Sequence, residues 1–447
     1  MLDAYKKELK QMLPIGIPAV LSQLAQMAMG FIDTLMAGHY STDALAAIAI
    51  GSSLLQPVLV FFLGLFLALN PIVAHFKGAD EPDKIRTHFN ISVVIAIVMA
   101  PIAIALLLYS PIVLAMLDIE PNISKIATGY LFATLWGMPA LLLFFALRFC
   151  NEGLFSTKAI MAITALSIPL NVVMNYWFMY GGYGLNEMGA IGVGYATGLI
   201  WILMFVGLLV YTLRARKYKR YKLLRSFDFP SSKEIWAIFS LGLPLAVTLG
   251  FEISMFAAIS LMIAKYPVEI MAAHQIALNL ASLTFMIPLG LSQAITARVS
   301  YFKAKHQLDS MRIAGNTGIL LSIAIMTVSA IMMMSIPTLL VSIYTQDIRL
   351  TEVAVGLLFF AAIFQFSDGL QVASAGCLRG VKDTKIPMII TAIAYWLIGF
   401  PIGFYLAEYQ GLGVNGYWIG LILGLSSAAL LLLRRWLSHC RMPVTIS

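Results

Sequence analysis

Twelve long apolar stretches, separated by short polar connections, govern what this 447-residue chain can fold into. They lie near 13–37, 44–74, 89–117, 126–150, 159–180, 188–213, 236–264, 268–302, 311–345, 350–378, 387–408 and 413–437. A helix needs about 20 apolar residues to cross a hydrocarbon core. Inside that core only helices and closed barrels satisfy every backbone N–H and C=O. A barrel would show alternating runs of about ten residues, so the expected fold is an all-α integral membrane protein with twelve transmembrane helices. Composition agrees: the chain is 60% hydrophobic and 11% charged, with a mean hydropathy of +0.89, which a water-soluble fold could not hide. Several stretches exceed the thickness of a bilayer, implying tilt or extension into water. The opening MLDAYKKELK shows no apolar run followed by a small-residue cleavage site, so the first span is expected to act as its own insertion signal.

Lys and Arg set the orientation. With both termini in the cytoplasm, that side holds Lys6, Lys7, Lys10, the Lys77–Arg86 connection, Arg148, Lys158 and the RARKYKRYKLLR run from Arg214 to Arg225. It also holds Arg298, Lys303, Lys305, Arg312, Arg379, Lys382, Lys385, Arg434, Arg435 and Arg441, against only Lys125, Lys265 and Arg349 opposite. Cytoplasmic connections carry such an excess. The net charge of +8 therefore reads as a topology signal and a partner for anionic lipid, and no nucleic-acid partner is expected. Cys150, Cys377 and Cys440 have no metal-like spacing and sit near cytoplasmic ends; no disulfide is expected.

The chain also contains itself twice. The offset that carries Pro18 onto Pro244 also aligns Leu35-Met36 with Leu261-Met262, Tyr40 with Tyr266, Gly64-Leu65 with Gly290-Leu291, and Phe76-Lys77 with Phe302-Lys303. After a one-residue adjustment, Gly129 aligns with Gly356, Gly153 with Gly380, and Thr157-Lys158 with Thr384-Lys385. Shared composition explains scattered Leu and Ala pairs, but not Pro, Gly, Tyr and Lys in register. Each half holds six spans; six is even, so the repeat is parallel. The expected organisation is an N-lobe over 1–213, a cytoplasmic linker over 214–235 and a C-lobe over 236–447. Two lobes can expose a shared site to either side in turn. No GxxxxGK[ST] motif occurs, so transport is expected to be driven by an ion gradient or to be passive.

Of the twenty-one carboxylates, only Asp33, Glu252 and Asp368 lie in the middle of apolar stretches. A carboxylate at membrane depth is costly unless paired, hydrated or protonated, so these three mark a candidate cation-handling site. Glu252 follows Pro244 by eight residues, roughly 12 Å of helix, and Asp368 lies midway through its own stretch. The two can reach similar depth, where two carboxylates in one dry site need a proton or a cation between them. The competing reading is that each is a protonated packing residue. Asn171 and Asn175, at i and i+4, share a helix face in a segment that also contains Pro169, and Thr197 follows in the next span.

The duplicated six-span plan, MGFIDTLMAG around Asp33, FEISMF around Glu252, MAAHQIALN and FSDGLQVASAGCLRGVKDTK around Asp368 together resemble the multidrug and toxic compound extrusion (MATE) family, in its bacterial NorM-like branch. The resemblance covers nearly the whole chain. It implies a V-shaped pair of pseudo-symmetric six-helix bundles that expels aromatic or cationic drugs and dyes in exchange for Na⁺ or H⁺. It also implies a monomer in the bacterial inner membrane, no cofactor beyond the coupling ion, and a role in antibiotic resistance. It gathers Asn171, Asn175 and Thr197 with Asp33 as an N-lobe proton or cation site, and makes Glu252 and Asp368 candidate Na⁺ ligands. The branch usually has a tyrosine one turn before the C-lobe aspartate; here Phe364 stands there, one hydroxyl oxygen fewer. Interhelical hydrogen bonding is the competing reading for the two asparagines.

His274 reads as a structural histidine, and Gln275 as a candidate cavity or ion-shell group. Pro57, Pro71, Pro139, Pro288 and Pro401 read as kinks. Twenty-four methionines and 11% aromatic residues suit a cavity that adapts to flat cations, though most will face lipid or neighbouring helices. An intramembrane enzyme would need a nucleophile with its base, or clustered metal ligands; the spacing of the six histidines and three cysteines supplies neither. A lipid-linked precursor flippase shares the many-helix plan, but its anionic headgroup calls for deep Arg or Lys, whereas the deep charges here are acidic.

Overall fold

The computed structural model describes residues 2–182, 184–223 and 231–441. Among these, the chain is a succession of helices: α1 (Leu2–Tyr40), α2 (Thr42–Leu67), α3 (Leu69–Gly78), α4 (Pro82–Leu108), α5 (Ser110–Met116), α6 (Pro121–Leu135), α7 (Met138–Gly153), α8 (Thr157–Tyr180), α9 (Ala190–Arg214), α10 (Ser232–Ile263), α11 (Val268–Ala304), α12 (Leu308–Ser335), α13 (Pro337–Ser342), α14 (Ile348–Gly380), α15 (Lys385–Ala392), α16 (Phe400–Phe404) and α17 (Val414–Arg441). Among the described residues, eleven spans are long and apolar enough to cross a membrane, and the pair α6 and α7, bent by 54°, makes a twelfth when counted as one span. That bend sits at Trp136-Gly137, with Pro139 in the first turn of α7, where a missing amide hydrogen breaks the backbone ladder.

The repeat is visible in the helix boundaries. Thr42–Gly78 returns as Val268–Ala304 and Pro82–Met116 as Leu308–Ser342, both at the offset that relates Pro18 to Pro244, whereas Pro121–Gly153 returns as Ile348–Gly380 after the one-residue adjustment. The copies differ in how they bend. The fourth span is broken in the first half and continuous as α14 in the second. The fifth is the regular α8 in the first half, but in the second it contains two π-helical turns, Ile393–Gly399 and Tyr405–Tyr409, flanking Pro401 in α16. Pro71 lies just past the α2–α3 break, while Pro57 and Pro288 are absorbed within α2 and α11.

Packing divides the chain into two compact units, Leu21–Ala246 (the N-half unit) and Met1–Val20 with Val247–Ser447 (the C-half unit). These boundaries fall inside α1 and α10, not in the expected 214–235 linker. That stretch begins with the end of α9 and a 3₁₀ turn, Arg216–Tyr218; its residues 224–230 lie outside the described residues. Tyr218 is only 3% exposed and donates a hydrogen bond to Asn151 Oδ1, so part of the linker is anchored in the N-half unit.

In the N-half unit, α9 packs on α6, α7 and α8, around a core that includes Phe62, Phe66, Phe89, Phe144 and Phe149. Without water to expel, helices in a membrane associate through close packing and small residues. A Cβ at Gly137 would come within 2.5 Å of the Gly198 Cα, so the bend in the fourth span is seated on α9. In the C-half unit, α14 is the central helix, packed against α11, α12 and α17. A small-residue stripe on α17, Gly416, Gly420 and Gly424, faces Ala407, Gly403 and Gly399 of the preceding span, and a Cβ on Gly420 would meet the Gly403 Cα at 2.5 Å. In the same unit Arg298 clamps Glu8 by two bonds, Nε to Oε1 at 2.7 Å and Nη2 to Oε2 at 2.5 Å, and reaches Gln11 at 2.6 Å.

Candidate ion-coupling sites

The N-half site assembles three helices around one carboxylate. Asp33, in α1, is 9% exposed. Asn171 and Asn175, one turn apart on α8, both donate to its Oδ1, at 3.0 and 2.7 Å. Thr197 of α9 donates to Oδ2 at 3.4 Å, and the two asparagines are linked at 3.4 Å. The i, i+4 spacing that puts both amides on one face thus brings the sequence-predicted residues together. No Lys or Arg pairs with Asp33 among the described residues. Its Oδ1 is saturated by two amide hydrogens, while Oδ2 has only one long hydroxyl contact, and Asn175 Oδ1 is buried without a partner among the described residues. Chemically, Oδ2 is the oxygen left for a proton or a cation.

The C-half unit holds Glu252 on α10 and Asp368 on α14, close enough for the charge of one to act on the other. Among the described residues neither carboxylate receives a hydrogen bond or an ion pair. Asp368 is 4% exposed. One turn along α14, Gln371 accepts a hydrogen bond from the Tyr395 hydroxyl at 2.7 Å, and Tyr395, in the first π-helical turn, lies within electrostatic reach of both acids. Met255, one turn after Glu252, approaches Gly399, one turn after Tyr395, so Glu252 and Tyr395 are level. Phe364 stacks on Trp418 with centroids 5.9 Å apart. His274 is fully buried, bonded to Ser260 Oγ at 3.0 Å and edge-on to Trp418. Gln275, the next residue, is exposed, and no hydrogen bond joins it to either acid among the described residues. No group of three or more His, Cys, Asp or Glu suited to a metal ion is found among the described residues, so a cation at this pair would rest on two carboxylates and neutral oxygens.

Charge at the segment ends hides further buried ionic groups that the reading of deep carboxylates missed. Arg148 and Glu152, each 1% exposed, pair at 3.0 Å within α7. Arg148 also reaches Gln26 at 3.0 Å and Gln23 at 2.9 Å, and Asn70 donates to Glu152 at 3.4 Å. The available signal was their i, i+4 spacing. In the connection after α14, Asp383 accepts bonds from Arg435 Nε and His439 Nε2, both at 2.8 Å. Partial burial there acts to raise its pKa, but these two donors and the charges behind them outweigh it and hold the carboxyl below the usual range.

A sequence profile described as MatE matches residues 18–177 and again 244–405. The chain belongs to the MatE family. The two matches begin at positions 18 and 244, the register of the internal repeat. Over 435 residues the chain is 37% identical to the multidrug resistance protein NorM of Photobacterium profundum, covering 96% of this chain and 95% of that protein. It is 36% identical to the NorM protein of Aliivibrio fischeri over 447 residues, covering 99% and 97%. This MatE chain is thus of the NorM-like branch. Its fold is that of solved MATE transporters: a eukaryotic one superposes with a TM-score of 0.89 at 18% identity, covering 98% of each chain. A multidrug resistance MATE transporter in an outward-facing conformation gives 0.88 at 17%, covering 96% and 95%.

Proposed function

We propose that this MatE protein is a secondary active efflux transporter that expels aromatic or cationic drugs and dyes in exchange for Na⁺ or H⁺, by alternating access. The relatives named multidrug resistance proteins support the substrate class. The observation that carries ion coupling is the contrast between the two carboxylate sites. Asp33 is held by three neutral donors with Oδ2 nearly open, an arrangement suited to taking up and releasing one proton. Glu252 and Asp368 lie within electrostatic reach of each other and receive no bond among the described residues, and a pair of anionic oxygens suits a hard cation such as Na⁺. Occupancy of either site changes the charge inside one unit and so biases its shape. The protein acts as a monomer in the bacterial inner membrane with both termini cytoplasmic, and performs no covalent chemistry. The test is reconstitution into vesicles with a Na⁺ or a pH gradient imposed separately and ethidium as cargo. Ethidium movement that ignores both gradients would overturn the coupled reading.

A further inference from the structure

The ends of the two halves read as outer carry a constellation that the central carboxylates do not explain. In the N-half unit, Tyr40 closes α1 and its hydroxyl donates to Glu187 Oε1 at 2.6 Å. Gly189, at φ +55°, lies against the same ring; a Cβ there would meet Tyr40 Cε1 at 3.0 Å. Tyr180, at the end of α8, sets its ring edge-on to Tyr40 with centroids 5.5 Å apart, and Tyr176 follows at 5.0 Å. Beside them opens a cavity of about 460 Å³, lined by Tyr40, Ser41, Ile126, Glu187 and Met188 among others. Glu187 is exposed and forms no ion pair among the described residues. The outer connections of this half hold Asp43, Asp118, Glu120 and Glu187 against Lys125.

The same parts recur in the C-half unit. Tyr266 is the repeat partner of Tyr40, and Gly413, at φ +56°, precedes α17 as Gly189 precedes α9, with its Cβ position 3.6 Å from Tyr266 Cε1. The glutamate before it, Glu408, accepts the Tyr417 hydroxyl at 2.7 Å and lies within electrostatic reach of Tyr266. Tyr405 and Tyr409 stack beside it at 5.8 Å. Tyrosines gather at membrane interfaces for general reasons. An interfacial belt does not call for an acid tied to a phenol, a glycine seated on that same ring and a cavity at the junction; in the second half the glycine again sits by the repeat tyrosine, while the acid bonds a different phenol.

We propose that the outer end of the N-half unit is a peripheral binding site for flat organic cations, with Glu187 as counter-charge and the Tyr40 ring, braced by Tyr180, as the surface on which the cation lies. Rings present a negative face to cations, and an unpaired carboxylate at the cavity wall selects cations over neutral compounds of the same shape. The ligand class rests on the efflux reading above; the site itself is separate from Asp33, Glu252 and Asp368. A cation leaving the protein on this side meets it last.

Met188 lines the cavity, so a Met188→Cys, Cys440→Ser protein in nanodiscs, labelled with a charged maleimide, reports access to it; Cys150 and Cys377 are buried. Ethidium is the probe, with its overall binding followed by fluorescence. It should slow labelling, and Glu187→Gln should raise the half-protecting concentration about tenfold without loss of folding, whereas Tyr40→Phe keeps the ring and should cost less. Protection should persist when Asp33→Asn, Glu252→Gln and Asp368→Asn are added. Ethidium that binds but leaves labelling unchanged, or protects the Glu187→Gln protein equally well, overturns the proposal. Protection lost with the three central acids would mean a signal transmitted from the centre, and also overturns it. A protein that binds no ethidium at all removes the organic-cation reading, and this inference with it.

Discussion

Glu252 occupies the repeat position that Gln26 holds in the first half. Gln26 accepts a hydrogen bond from Arg148, whereas Glu252 receives none among the described residues. The same offset maps Asp33 onto Ile259, and the adjusted one maps Asp368 onto Leu141. One scaffold, used twice, thus carries its acids at different places, and this divergence lets the two halves be tested apart.

Asp33→Asn should abolish ethidium efflux from cells, or cut it at least about tenfold, with normal membrane levels of protein. The amide preserves shape but cannot carry a proton, which is the function argued for a carboxylate at this depth. Asn171→Ala and Asn175→Ala should each weaken efflux less, because each leaves one amide on Oδ1. Wild-type efflux by a well-expressed Asp33→Asn protein would refute the N-half assignment.

Glu252→Gln combined with Asp368→Asn should erase Na⁺-driven ethidium movement in vesicles while part of the pH-driven movement survives through Asp33. An intact Na⁺ response would make these acids structural. Joint loss of both responses would mean that the two halves cannot work independently.

Breaking the Arg148–Glu152 pair should damage the protein without touching either site. Removing one partner leaves the other charge buried, at a cost of about 3–5 kcal/mol. Glu152→Gln should therefore lower the melting temperature and the yield in detergent. Replacing both partners together by apolar side chains of similar size should be milder. A melting temperature unchanged by Glu152→Gln would show that the charge is compensated elsewhere.

Asp383 predicts a pH effect at the end of the C-half unit that the Lys and Arg distribution reads as cytoplasmic. Its pKa is lowered by the bonds from His439 and Arg435, so its contribution to stability is present above the unfolded value of about 3.9 and is lost as pH falls through the lower folded value. At a half-buried site open to screening, that contribution is about 1 kcal/mol. Melting curves from pH 6 down to pH 3 should show an acid-induced loss in the wild type that is smaller in Asp383→Asn.

Much of this architecture is legible in the sequence because a bilayer permits so few solutions. Apolar length predicts the spans, and Pro, Gly and Tyr in register predict the duplication that the helix boundaries repeat. That Asn171 and Asn175 act together is legible because i, i+4 residues must share a face, whereas their meeting with Asp33 and Thr197 is legible only through the family resemblance. Tyr395 is not, because it reaches the level of Glu252 from a π-helical turn, and an extra residue in a helical turn leaves no mark in an apolar sequence. Arg148, Glu152 and Glu8 are hidden for a different reason: they lie near span ends, where charge is ordinarily solvated, and only three-dimensional packing reveals that here it is not. The boundary of the compact units is equally hidden, since nothing in the composition of α1 or α10 changes at Val20 or Ala246.

That boundary has a consequence for how the protein is made. Residues 2–20 leave the ribosome well before the second half is made, and Glu8 finds Arg298 only after some 290 further residues have been synthesised. The first span must therefore enter the membrane with half its length still lacking its final neighbours. If the chain were cut within 214–235 and the two pieces were expressed together, each piece would hold a segment that belongs to the other's core. Two such fragments should accumulate when made in the same cell and be degraded when made alone.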